Sequence, residues 1–265
     1  MVSWPVTNIE GLLAAYDEQL RGAPSDLPRG VSVERDGPVV RLVGGHRGLV
    51  TAPPRLGVRG DELDRLIVRQ RDRFAALGTA VEWRTHGHDR PEELPDRLRA
   101  AGFVPEEQET VLVGRTDVIA FQDPPEGVSL LRVTEPDDMR RIAVMESRVW
   151  GLDWSRLGED LDGRTAADPD GIAVMVAEAG GEVVSAGWLV FRRGTGFAGL
   201  WGGSTLPEWR GKGIYRSLVA ARARIAAARG VRHLHVDASG DSAPVLRRLG
   251  FEGVTTTTPY VWSPS

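Results

Sequence analysis

One short stretch gathers an arginine, two glycines and a lysine: Pro207-Glu208-Trp209-Arg210-Gly211-Lys212-Gly213-Ile214-Tyr215. Glycines at 211 and 213 let the backbone turn tightly enough for successive N–H groups to converge. The stretch falls between a β-prone run and an amphipathic helical one, so the new helix adds the positive end of its dipole. The chemistry to expect there is the binding of a pyrophosphate, with Arg210 and Lys212 adding formal charge. Lys212 is the only lysine in the chain. The same spacing also serves a plain turn before a helix.

Other residue types here can move protons. His233, His235 and Asp237 alternate along one β-prone run and so share a face, opposite Leu234 and Val236. His235 is the first candidate for a general base, acting directly or through water; a histidine packed against a helix is the alternative. Glu146, on a helix expected over about 135 to 149, is the second candidate, against a solvated or ion-paired glutamate. Thr85-His86-Gly87-His88-Asp89 has metal-ligand residue types, but neighbouring His and Asp at a strand-to-loop junction fit hydrogen-bonding turn residues, and no metal is expected.

These residues need elements to hold them. Leu12, Leu13 and Tyr16 mark a helix from Thr7 to Leu20, capped by Thr or Asn. Short β-prone runs at 31–34, 39–43 and 48–51 follow, with turns at Asp36-Gly37-Pro38 and Gly44-Gly45-His46. Leu63, Leu66, Ile67, Phe74 and Leu77 recur at helical spacing before Gly78. A strand at 81–85, a helix at 92–101 and a strand at 110–113 complete an α-β-α-β order. The second half predicts a strand at 128–133, helices at 135–149 and 153–162, a hairpin of 172–177 and 183–191 around Glu178-Ala179-Gly180-Gly181, and a strand at 197–205. A helix at 213–228, a strand at 231–237, a helix at 241–249 and a strand at 253–262 finish it. The fold class is α+β, helices around a mainly antiparallel sheet.

The chain repeats itself. Leu98-Arg99-Ala100-Ala101-Gly102-Phe103 matches Leu246-Arg247-Arg248-Leu249-Gly250-Phe251, and the elements before each occur in the same order. Two pseudo-repeated domains follow, 1–122 and 127–265, linked by Pro124-Pro125-Glu126-Gly127. Where the second copy has Arg210-Gly211-Lys212-Gly213, the first has Arg59-Gly60-Asp61-Glu62. Two carboxylates at a helix start repel a pyrophosphate, so the first copy reads as a degenerate module with no cofactor of its own.

The loop with its flanks resembles motif A of the GCN5-related N-acetyltransferases (GNAT): Arg or Gln, two residues, Gly, one residue, then Gly or Ala. Arg210 and Gly213 match. Tyr215 departs, placing a bulky ring where the family usually has a small residue. The resemblance covers about 128 to 262, including the Leu-Gly-Phe ending of the penultimate helix. It implies the GNAT fold, acetyl-CoA as acyl donor, and a cofactor loop of Arg210, Gly211, Lys212, Gly213, Ile214 and Tyr215. It also implies that backbone groups of Gly203, Ser204 and Thr205 pair with pantetheine and polarise the thioester, where Gly202-Gly203 alone reads equally as a bulge. Asp241 or Ser239 stands where the family often contacts pantetheine; either also suits a helix cap. The family's usual glutamate is missing from Leu200-Trp201-Gly202-Gly203-Ser204-Thr205, and Leu246 stands in place of its usual tyrosine. His235, Glu146 and Tyr215 are the candidates left for proton transfer, with Tyr215 equally suited to packing.

The acceptor expected is a primary amine of a small molecule, with the first domain buttressing the second and narrowing the acceptor pocket. A non-catalytic acyl-CoA-binding or sensing protein, or a protein N-acetyltransferase, are the alternatives. With 265 residues, 41% hydrophobic and 26% charged, one or two globular domains are expected. A net charge of −4 and pI of about 5.8 argue against a nucleic-acid partner. No run reaches the roughly 18 apolar residues a membrane helix requires, and the start Met1-Val2-Ser3-Trp4-Pro5 lacks a signal-peptide pattern, so a cytoplasmic protein is expected. Zero cysteines removes disulfides and thiolate chemistry. Monomer and homodimer both remain open.

Overall fold

The computed structural model describes residues 8–24, 27, 30–45, 47–119 and 122–264. Thr7 and His46, expected in a helix cap and a turn, lie outside them. The first half runs α1 (Ile9–Leu20), β1 (Ser32–Asp36), β2 (Val39–Val43), β3 (Arg47–Thr51), α2 (Asp61–Ala75), β4 (Ala80–His86), α3 (Leu94–Ala100), β5 (Val104–Pro105) and β6 (Glu109–Arg115). The second runs β7 (Val128–Val133), α4 (Pro136–Trp150), α5 (Ser155–Ala167), β8 (Ile172–Ala179), β9 (Glu182–Phe191), β10 (Phe197–Thr205), α6 (Ile214–Ala228), β11 (His233–Ala238), α7 (Ala243–Arg248) and β12 (Phe251–Trp262). Asn8 caps α1, its Oδ1 accepting from the Gly11 N–H at 3.0 Å. The two-residue β5 was not expected, being too short for any periodicity to reveal.

The chain forms two compact units. One comprises residues up to Leu112 together with Asp237–Ala243 and the segment from Gly253; the other comprises Val113–Val236 and Pro244–Glu252. The division is not linear in sequence, because the last strand belongs with the first half. There β12 pairs antiparallel with β4, from Thr257↔His86 to Trp262↔Val81. The Thr257 hydroxyl donates to the Thr85 carbonyl and the Thr85 hydroxyl to that of Thr258, each at 3.0 Å. Tyr260 lies in this unit's core with Leu63, Leu66, Ile67 and Phe74 of α2 and Val81 and Trp83 of β4. The apolar spacing of α2 puts those four side chains on one stripe, and each stabilises the unit by roughly 1.5–3 kcal/mol.

The other unit orders its strands β11-β10-β9-β8-β7. The β8/β9 hairpin turns on Gly180 and Gly181, at φ 57° and 82°, the positive pair that a two-residue type I′ turn demands. Only β10 and β11 run parallel within it. Ile214, Leu218 and Ala221 of α6 share one core with Met139, Ile142 and Met145 of α4. Both units are thus mixed α+β, with mainly antiparallel sheets flanked by helices.

Candidate active site

The parallel pairing of β10 with β11 covers Phe197↔His233, Ala198↔Leu234 and Gly199↔His235 and stops there, while β10 continues to Thr205. On its other side β10 pairs with β9 as Trp201↔Trp188 and Gly202↔Gly187, then slips to Ser204↔Ala186. The slip leaves Gly203 in a bulge, and Gly202 and Gly203 hold φ of 66° and 95°, which a residue with a side chain adopts only under strain. A Cβ on Gly203 would stand 2.7 Å from the Tyr215 ring. The bulky residue that departs from the motif therefore packs against the bare backbone of the bulge. The Ser185 hydroxyl donates to the Ser204 carbonyl at 2.6 Å and meets the Thr205 hydroxyl at 2.8 Å, fixing the strand's exit.

A 3₁₀ turn at Pro207–Trp209 then delivers the chain to the glycine loop. Arg210 folds back, Nε donating to the Thr205 carbonyl at 3.0 Å, and the Lys212 ammonium lies 4.3 Å over the Trp209 ring. Gly211 and Gly213 take φ of 76° and 89°. Ile214, 1% exposed, anchors the first turn of α6 in the core. That turn carries no acidic residue and no described side chain caps it, so its N–H groups and dipole present positive charge outward. A Cβ at Gly211 would meet nothing within 4 Å, so its backbone is open to approach. A row of amides of this kind, with Arg210 and Lys212 beside it, suits an anion such as a diphosphate.

Of the expected proton-transfer residues, Glu146 and Tyr215 come together around the bulge. Glu146 is 3% exposed; Oε2 accepts from the Trp150 indole N–H at 2.9 Å, and Oε1 has no hydrogen bond. The same indole N–H reaches the Ser204 hydroxyl at 3.3 Å, so one tryptophan ties carboxyl to bulge. Burial pushes the Glu146 carboxyl above its ordinary range, with Ser204 and Trp150 opposing. Burial also raises the Tyr215 phenol. His235 sits at the last β10/β11 pair, edge-on to Phe197 at 6.3 Å, its Nε2 and the Trp201 Nε1 both close beside Gly199. Burial lowers the neighbouring His233.

Asp237, Ser239 and Asp241 belong to the other unit. Asp237 pairs with Arg84 at 3.3 Å; the Ser239 hydroxyl accepts from the Ser242 N–H at 3.4 Å in the turn leading to α7, and Asp241 is exposed. His86, the last residue of β4, and His88, in the turn after it, are hydrogen bonded: His86 Nε2 meets the Tyr16 hydroxyl at 3.1 Å, and His88 bridges Thr255 at 2.8 Å and Asp17 at 2.9 Å. Two site residues escaped the sequence reading. Trp150 stands four residues after Glu146, a spacing that puts both on one helix face. Arg222 continues the stripe Ile214, Leu218 at the same interval, and an arginine on a buried stripe was the available signal.

Residues 138–251 match the acetyltransferase (GNAT) family model. No curated protein sequence matches the chain. Among solved structures, a GCN5-related N-acetyltransferase from Kribbella flavida is 16% identical, with 98% of this chain and 97% of that one covered at a TM-score of 0.69. A tandem GNAT protein from the clavulanic acid biosynthesis pathway is 14% identical, with 97% of each chain covered at 0.62. A conserved protein of unknown function from Staphylococcus epidermidis is 13% identical, with 90% of this chain and 96% of that one covered at 0.65.

Proposed function

From the match of residues 138–251 to the acetyltransferase (GNAT) family model, we propose that the protein is an acetyl-CoA-dependent N-acetyltransferase acting on the amine of a small molecule. The observation that carries it is a sequence of three features on one strand, loop and helix. The β10/β11 pairing ends at Gly199, a glycine bulge follows at 202–203, and α6 starts with no acidic residue or side-chain cap at its N–H groups. Residues 127–265 then hold the chemistry, and 1–122 form a degenerate module, in a cytoplasmic protein. Among the described residues no helix is long and apolar enough to cross a membrane.

In this reading the amides of Gly211, Lys212, Gly213, Ile214 and Tyr215 hold the pyrophosphate of acetyl-CoA. Backbone groups of Gly203, Ser204 and Thr205 align the pantetheine and donate to the charge that develops on the thioester oxygen. Glu146 takes the proton of the attacking amine: its free Oε1 and its tie to Ser204 through Trp150 favour it over His235, which packs among Phe197, Gly199 and Trp201. A carboxyl raised by burial is a stronger base than an exposed one. Tyr215, beside Gly203, returns a proton to the departing thiolate.

Calorimetry with acetyl-CoA and free-thiol release over a panel of small amines test this. Binding is expected for the native protein and at least ~100-fold weaker binding for Gly213→Glu, which sets a carboxylate on the dipole. Undiminished affinity in that variant would sink the loop assignment. One observation favours a second reading, an acyl-CoA-binding protein without catalysis: β10 carries no carboxylate, and the motif's tyrosine position is the fully buried Leu246. Tight binding with no thiol release above background would decide for it.

A further inference from the structure

Among the described residues Arg222 is the second-largest fully buried side chain, 1% exposed, and no carboxylate pairs with it. Its Nε donates to the Leu218 carbonyl at 3.2 Å, and its Nη1 donates to the Trp188 carbonyl at 3.3 Å and the Trp201 carbonyl at 3.1 Å. Trp188 and Trp201 face each other in the β9/β10 register, one pair before the last pair ahead of the slip. Room for the guanidinium exists only because residue 187 is glycine, since a Cβ there would stand 2.7 Å from Nη1. Gly187 in turn opposes Gly202, the first residue of the bulge. Burial pushes the Arg222 guanidinium down to about 10, with Tyr215 opposing.

A buried cation with no partner anion is costly, and cores rarely keep one without a compensating demand. The demand here is local. The Trp201 carbonyl shares its peptide with the Gly202 N–H, so a cation bonded to that oxygen both fixes the peptide opening the bulge and polarises its amide. We propose that Arg222 is a positioning residue for acyl transfer, clamping the Trp188 and Trp201 peptides and setting an uncompensated positive charge behind the Gly202–Gly203 bulge. The inference rests on the acetyltransferase reading, in which negative charge develops at that bulge on the thioester oxygen. It assigns Arg222 an effect on turnover, separate from the loop at 210–215 that holds the donor.

Three variants test it: Arg222→Met removes charge and clamp, Arg222→Lys keeps the charge with fewer bonds, and Gly187→Ala keeps the charge and displaces the guanidinium. Arg222→Met is expected to lower kcat about 100-fold, the scale of losing one oxyanion donor, while KM for acetyl-CoA stays within about 2-fold. Lysine should recover part of that loss, and Gly187→Ala should mimic it in the same parameter. Hydrogen exchange at residues 202–204 should rise in Arg222→Met and Gly187→Ala more than elsewhere in the unit. Unchanged kcat and exchange in the variants would overturn the proposal, as would a fall in acetyl-CoA affinity parallel to the fall in kcat. If Arg222→Met does not fold, the lysine and alanine variants carry the same decision. If the native protein releases no thiol from acetyl-CoA, the acetyltransferase reading fails and so does the catalytic role of Arg222; the exchange pattern then decides only whether it clamps the bulge.

Discussion

Both halves of the chain build a strand, a glycine-bearing loop and a helix in the same order, yet they treat the helix start in opposite ways. In the first half β3 stays paired with β4 as far as Val50↔Trp83. Beyond it the chain closes again: the Leu56 N–H donates to the Arg90 carbonyl at 3.0 Å, and the Arg90 N–H to that of Pro54 at 2.7 Å. Gly60, at φ 56°, then starts α2 with its N–H on Glu93 Oε1 at 2.9 Å, and Asp61, Glu62 and Asp64 fill the first turn. In the second half the strands part, the loop glycines are bare, and the first turn of α6 carries no acid. One half supplies its own anion at the helix start and the other supplies none. The glycine persists in both because the backbone needs a positive φ to enter the helix, whatever occupies its N-terminus.

That contrast predicts where mutations hurt. The largest effect tests whether the first unit serves structure alone. Arg21 Nη1 lies 2.6 Å from Asp89, with side chains 3% and 8% exposed, and His86 beside them is pushed down to about 2 by burial. Arg21→Met leaves a buried carboxylate without its cation and is expected to lower unfolding stability by about 3–5 kcal/mol. Denaturant melts measure it, and calorimetry on the folded variant should return native acetyl-CoA affinity; weakened binding would break the division of labour.

Glu146→Gln comes next, with kcat lower by about 100-fold. Because the native carboxyl titrates above its ordinary range, the native rate should fall as pH drops through that raised value, and the variant should lack this limb. Between the ordinary carboxylate pKa of about 4.3 and the raised one, the folded state binds more protons than the unfolded state, so stability falls as pH rises. Glu146→Gln should therefore gain in Tm relative to native at about pH 7.5 and not at about pH 4. Equal pH profiles would return the base role to His235.

Gly203→Ala, at φ 95° and with its Cβ 2.7 Å from the Tyr215 ring, should cost about 2 kcal/mol, read as a roughly 30-fold loss in kcat/KM. Adding Tyr215→Ala should recover the share owed to the clash. The smallest effect belongs to the first half: Glu93→Gln removes the charge at the α2 start and should cost about 0.5–1 kcal/mol of stability. Acetyl-CoA affinity should not change; a gain in affinity would mean that this helix start also takes a ligand.

The elements were legible almost throughout. Alternation, helical spacing and glycine stops located β1–β4 and α2, and the loop at 210–215 stood out because a Gly-x-Gly turn before an amphipathic stripe is written in consecutive residues. The repeat Leu98–Phe103 and Leu246–Phe251 was equally local. The strand at 253–262 was legible as a strand but not as a partner of β4, since its Thr255-Thr256-Thr257-Thr258 run fits the edge of many sheets. His88 took the hydrogen-bonding role its type allows, and the Ser239 hydroxyl accepts from the Ser242 N–H in the turn before α7.

The sequence by itself determined the order of elements, the glycine conformations and the positive helix start, because turn chemistry and hydrophobic period depend on near neighbours. Only the tertiary structure decided which residues meet: Glu146 and Trp150 with Ser204, Gly203 with the Tyr215 ring, Gly187 with Arg222, and Glu93 with Gly60. Periodicity says which face of a helix or strand is buried and leaves open what it is buried against. The proton-handling groups and the buried arginine depend on contacts across many residues of chain, and burial, which sets both their charge and their reach, exists only once the core has closed around them.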